Sequence, residues 1–152
     1  MKKLLMLVFS LSFVILLTGC GDKVKTTVCD YTDSSGKISF DVSATNNEID
    51  KIKMIVVPSN ESMGITTFKD IDEETKGIIK ESFLSTYGLE KDTYDGLKIS
   101  VEFDDNMTVT FDADLKVADK DLLKKIGMDF EGKDMDFDKF VTNIEAEGYT
   151  CK

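Results

Sequence analysis

Asp and Glu make up 29 of the 152 residues, and they are the side chains whose number and spacing could carry chemistry. The densest run is Asp129, Glu131, Asp134, Asp136 and Asp138. Within it Asp134, Asp136, Asp138 and Glu145 stand at positions 1, 3, 5 and 12 of a would-be calcium loop. Position 6 of such a loop needs glycine for its sharp turn, and Lys139 stands there. The apolar spacing through Phe137, Phe140, Val141 and Ile144 demands continuous helix where the loop should bend, so these acids read as the solvated start of a helix. No metal is assigned. A second group, Glu102, Asp104, Asp112 and Asp114, lies on or beside one hairpin and could serve as the acid and base of a glycoside hydrolase. In so acidic a chain an exposed sheet face gives the same near neighbours.

The absences restrict chemistry further. All 19 cationic side chains are lysine, and the chain has no arginine, histidine or tryptophan. Without an imidazole base, Ser-His and Cys-His catalysis and His-ligated zinc or copper are excluded. Without guanidinium there is no bidentate fork for phosphate or carboxylate. No serine sits in G-x-S-x-G, and Gly64 and Gly77 lack the context of a phosphate-binding loop. The expectation is a protein that is not an enzyme and needs no cofactor; catalytic residues are none, and ligand-binding residues cannot be named.

Before these residues can act, the chain must be addressed and anchored. Lys2 and Lys3 precede fourteen residues, 4–17, that are apolar except for Ser10 and Ser12. This run is shorter than the roughly 20 residues a spanning helix needs and reads as a cleaved signal peptide over 1–19. Leu17-Thr18-Gly19-Cys20 resembles the lipobox of bacterial lipoproteins, which implies that Cys20 carries thioether-linked lipid and acyl chains such as palmitate. Several chains would be needed for firm anchoring, since each buried methylene contributes only about 0.8 kcal/mol. Residues 20–26 then read as a lipid-anchored tether and 27–152 as one domain on the extracytoplasmic face of the cell membrane. The leader holds two of the lysines and no acid, so the mature charge falls from −10 to −12. Such a surface repels nucleic acid, and no nucleic-acid partner is expected. With Cys20 lipidated, Cys29 and Cys151 remain as an even pair in an oxidising compartment. A disulfide is expected, worth up to about 5 kcal/mol for so long a loop. A redox or metal pair would need C-x-x-C spacing, which is absent.

The elements that position these groups follow from hydropathy period. Residues 26–32 and 37–43 alternate around Asp33-Ser34-Ser35-Gly36, predicting a hairpin. Asn46-Asn47 predicts a second turn, followed by a β-branched strand over 49–57 that stops at Pro58, the single proline. Ile71, Ile78, Ile79, Phe83 and Leu84 fall at helical spacing behind Asp70, Asp72, Glu73 and Glu74, closing at Tyr87-Gly88. Residues 97–103 and 107–113 alternate around Asp104-Asp105-Asn106, the clearest hairpin of the chain. A short helix is predicted over 119–126, ended by Gly127. A second amphipathic helix runs through Phe137, Phe140, Val141 and Ile144, with Asp134 or Asp136 as N-cap and Gly148 after its end. Tyr149-Thr150-Cys151 returns toward the first strand. The predicted class is α+β: a two-layer sandwich, with an antiparallel sheet of about five strands and helices packed on one face.

The lipobox, K-T-T-V-C-D-Y near the mature N-terminus, the strand 49–57 leading to a long helix, the hairpin 96–115 and the ending E-G-Y-T-C-K resemble the YehR-like bacterial lipoproteins. The resemblance covers about 25–152 and rests chiefly on the early cysteine and the G-Y-T-C ending. It implies a two-layer α/β sandwich on a lipid anchor and no known activity. The role expected is a cell-envelope lipoprotein, monomeric, acting as a surface binding or interaction module for a protein or small molecule. A carrier of a small apolar ligand in an internal pocket and a weak carboxylate hydrolase are the alternatives.

Overall fold

The structure, a computed structural model, describes residues 21–129 and 135–152. Strand β1 (Val24–Asp33) turns at Ser34-Ser35 into β2 (Gly36–Thr45), where the Asp33 carboxylate accepts from the Ser35 amide at 2.8 Å. Asn46 and Asn47 both take positive φ, 53° and 71°, the conformation of a two-residue hairpin turn whose twist matches its strands. That turn leads into β3 (Glu48–Pro58). After an irregular stretch come α1 (Glu73–Thr86), β4 (Thr93–Tyr94), β5 (Leu97–Phe103), β6 (Met107–Asp114), α2 (Lys120–Lys125), α3 (Phe137–Ala146) and β7 (Thr150–Cys151). Each helix begins at an aspartate that accepts from the third amide on, namely Asp72, Asp119 and Asp136. These caps satisfy donors that a helix start otherwise leaves open.

The strands form one antiparallel sheet in the order β4-β5-β6-β3-β2-β1-β7. The class is α+β, as expected. The expected count of about five strands is corrected to seven among the described residues, because β4 and β7 are two residues each and too short to display any alternation. Strand β1 also begins at Val24, inside the stretch expected as tether.

Register places Cys29, Phe40, Met54, Phe111 and Ile99 side by side across β1, β2, β3, β6 and β5. Directly paired residues point to the same face. On this face Phe40 meets the ring of Phe140 on α3 at 6.1 Å, and Phe111 meets Phe83 and Tyr87 at the end of α1 at 6.2 and 5.9 Å. The fully buried side chains include Phe111, Ile52, Leu97, Val42, Val109 and Cys29 from the strands and Phe68 and Met128 from outside them. The neighbouring register row points the opposite way and reads Lys98, Asp112, Lys53, Asp41, Val28 and Lys152. Lysine and aspartate alternate from Lys98 to Asp41, so each of these four charges has an opposite charge as a cross-strand neighbour.

Candidate functional site

The most concentrated chemistry lies where the chain ends against its first strand. Cys29 and Cys151 are cross-strand partners, bonded to each other with Cα atoms 4.0 Å apart. The expected disulfide is therefore present. Beside it Val28 and Lys152 exchange both backbone hydrogen bonds, at 3.1 and 3.0 Å, and the Thr27 hydroxyl donates to the Lys152 carbonyl at 3.3 Å. Helix α3 delivers the chain to this point. Gly148 follows its end at φ 98°, and the Tyr149 amide reaches back to the Ile144 carbonyl at 3.2 Å. Tyr149 then lays its ring against Tyr31 at 5.1 Å and Phe40 at 5.6 Å.

Between α3, Tyr149, Phe40 and the residues that follow α2 lies a groove of about 340 Å³. Phe40, Phe140, Ile144 and Tyr149 give it an apolar lining, and Asn143, Glu147 and Asp129 supply its polar atoms. Burial, and then the nearby Glu147 carboxylate and Tyr31, push the Tyr149 phenol above its ordinary range. It therefore stays protonated at neutral pH and can donate. Asp129 is drawn to Lys124 at 3.3 Å. Pockets built for small molecules combine apolar walls with a few convergent polar groups, and this groove has that composition at the small end of the range.

On the opposite face of β1 sits Asp30, hydrogen-bonded by the Ser39 hydroxyl and paired with Lys37 at 3.1 Å and Lys152 at 3.4 Å. The Ser39 hydrogen bond first, and Lys37 second, hold its carboxyl down at about 2. It is a charge clamp on the C-terminal residue rather than an acid or base.

Most of the acids singled out by spacing are not brought together. Asp136 caps α3 through the Lys139 amide at 3.0 Å and accepts from the Asn47 side chain at 2.9 Å. Asp138 holds Lys25 at 2.7 Å, and α3 runs unbroken from Phe137 through Ala146, where the calcium loop would have had to bend. Glu131 and Asp134 lie outside the described residues, as does Cys20. Among the described residues no three acids or cysteines gather as a metal site. Glu102 pairs across to Thr108 and Asp112 to Lys98, four residues apart along the strand and so roughly 13 Å apart at strand rise. Asp104 is held by Lys69 at 3.4 Å. Asp112 and Asp114 share a shallow groove of about 280 Å³, but each has a lysine opposite it, Lys53 and Lys51 respectively, rather than a second carboxylate.

With this geometry established, comparison adds the fold. The fold is similar to that of E. coli YehR. Its NMR structure matches with a TM-score of 0.61 at 15% identity, over 86% of this chain and 92% of that one. The NMR structure of a protein from Streptococcus pneumoniae TIGR4 matches with a TM-score of 0.51 at 11% identity, over 100% of this chain and 99% of that one. At such identities the likeness speaks for the fold alone. No family model matches the sequence, and no curated protein matches it.

Sequence reasoning located the disulfide but missed the groove. In sequence Phe40 is one residue of the alternating stretch 37–43 and Phe140 one of an amphipathic helix, and neither pattern marks a groove. The signal that could have found it was Tyr149, an aromatic placed between the helix-ending Gly148 and the bonded Cys151.

Proposed function

We propose that this chain is a YehR-like cell-envelope lipoprotein whose single two-layer domain works as a non-enzymatic binding module. Cys20 carries the lipid, palmitate among its acyl chains, and the domain stands as a monomer on the extracytoplasmic face of the membrane. The two-layer reading is supported by Phe40 and Phe111, which share one face of the sheet and meet α3 and α1 respectively. The observation that carries the binding role is the groove of about 340 Å³ beside the disulfide, apolar along Phe40, Phe140, Ile144 and Tyr149 and acidic at Asp129 and Glu147. Its composition favours a small ligand with an apolar body and a cationic or hydrogen-bond-donating head. A carrier of a wholly apolar molecule would use the same groove, but leaves Asn143 and Glu147 without a role in binding.

Two experiments test the two halves. Metabolic labelling with palmitate should mark the wild-type chain and vanish in Cys20→Ala; unchanged labelling removes the anchor. Native mass spectrometry of the chain purified gently from its own membranes should retain a small bound molecule that is lost in Tyr149→Ala. An adduct kept equally by that variant would place binding elsewhere.

A further inference from the structure

The chain enters the domain without slack. Asp22 and Lys23 precede β1, yet both are fastened to the Asn46 turn. The Asn46 side chain donates to the Asp22 carboxylate at 2.7 Å and accepts from the Lys23 amide at 3.1 Å, and the Asn46 amide donates to the Lys23 carbonyl at 2.8 Å. These bonds fix the chain two residues beyond Cys20. Two residues of chain reach at most about 7 Å.

We infer that the domain is held end-on against the bilayer, with the β2–β3 turn at the headgroups and the β1–β2 turn pointing away. This rests on lipidation of Cys20. Acyl chains on Cys20 must enter the membrane, and the headgroup plane then has to pass close to Asp22. Strand polarity says which parts share that end. β1, β3 and β5 start there and β2 and β6 finish there, since Val24 pairs with Thr45, Glu48 with Thr45 and Leu97 with Ala113. The end therefore carries Asn46, Asn47 and Glu48, together with Gly96 and the loop after Asp114. Two of the four exposed large hydrophobic side chains are found at this end, Val24 at 69% and Val117 at 51% of full exposure. A headgroup layer is the partner that fits apolar tips carried beside a lipid-bearing terminus.

The arrangement also sets the height of the groove. Asp136, at the start of α3, is tied to Asn47 at the membrane end, and the groove residues Asn143, Ile144 and Glu147 lie about two to three turns further along the helix. At 1.5 Å per residue the groove opens sideways roughly 10–16 Å above Asn47. A ligand would be met just outside the headgroups rather than drawn from within the bilayer.

The test uses the mature chain carrying its lipid, placed in nanodiscs that contain a gadolinium-chelating headgroup lipid, with amide relaxation read by NMR. Asn46, Asn47 and Glu48 should relax at least about fivefold faster than Ser35 and Gly36, which lie about 30 Å further along the strands. Equal enhancement at the two ends, or stronger enhancement at Ser35, overturns the inference. Asn46→Gly keeps the positive φ the turn needs and deletes the side-chain clamp. Its end-to-end ratio should fall at least about twofold while cross-strand amide protection is unchanged; an unchanged ratio would show that the clamp does not orient the domain. If palmitate labelling of Cys20 fails in cells, the same thiol coupled to a maleimide lipid gives the same readout. Failure of the anchor and failure of the orientation are thus separate results.

Discussion

The two edges of the sheet are closed by strands of equal length and unlike means. At one edge β7, only Thr150–Cys151, is covalently bonded to β1 through Cys29 and clamped by Asp30 on Lys152. At the other, β4, only Thr93–Tyr94, is held without a covalent bond. There the Ile99 amide donates to the Asp92 carbonyl at 2.7 Å, Lys80 pairs with the Asp92 carboxylate at 2.9 Å, and the Tyr94 hydroxyl accepts from the Glu90 amide at 2.9 Å. A two-residue strand buries too little to fix itself, so each edge needs an added device. The disulfide stands at the edge where Tyr149 lines the groove. The covalent device is spent on the wall that would touch a ligand.

The first way to break this contrast is to remove the bond. Cys29→Ser with Cys151→Ser should lower stability by about 2–5 kcal/mol. Hydrogen exchange should speed at 28–31 and 149–152 while 93–101 keeps its protection; loss spread evenly over both edges would show that the bond serves the whole fold rather than one edge. Next in size is the edge that lacks a covalent bond. Gly96 holds φ 71°, and a Cβ there would collide with the backbone of Ala118. Gly96→Ala should cost about 1–3 kcal/mol and loosen β4 and β5 first, as denaturant melts and exchange will show. Tyr94→Phe, which deletes the hydroxyl accepting from Glu90, should cost about 0.5–1.5 kcal/mol, read as a fall in melting midpoint. No change would mean that water replaces the bond.

The smallest effect concerns charge. Asp30 is held at about 2, below its ordinary 3.8, so its clamp is fully present above about pH 4 and is lost as pH falls through about 2. Melting curves of wild type and Asp30→Asn should converge across that window and stay a constant distance apart above pH 5. Asp33, Asp50 and Asp72 are lowered as well, so the difference between the two proteins, not either curve alone, reports Asp30.

What could be read from sequence follows from the range of the signal. Alternation in 37–43 and 107–113 is local, and those strands lie where it placed them. The aspartates that announce helices were legible because capping is a contact between near neighbours: Asp136 caps α3, and Asp119 begins a helix predicted from 119. β4 carried no period to detect. Nothing in 97–113 tells that β6 joins the free side of β3, because that choice rests on Phe111 meeting Met54, more than fifty residues away. Phe68 is wholly buried from an irregular stretch and has no pattern around it to mark it as core. The groove was hidden for the same reason, since Phe40, Phe140 and Tyr149 converge only after the sheet is built.

The central claim is that the groove beside the bonded edge binds a ligand with an apolar body and a cationic head. Its most direct test is an amide NMR titration of the oxidised mature chain with nonylammonium and, separately, with nonanoate, which share a tail and differ in the sign of the head. The account predicts that nonylammonium moves Gly127, Asn143, Ile144 and Tyr149 together, saturably and at lower concentration than nonanoate. It also predicts that this response weakens when Cys29–Cys151 is reduced. Shifts scattered over the surface, or tighter binding of nonanoate at these residues, would contradict it.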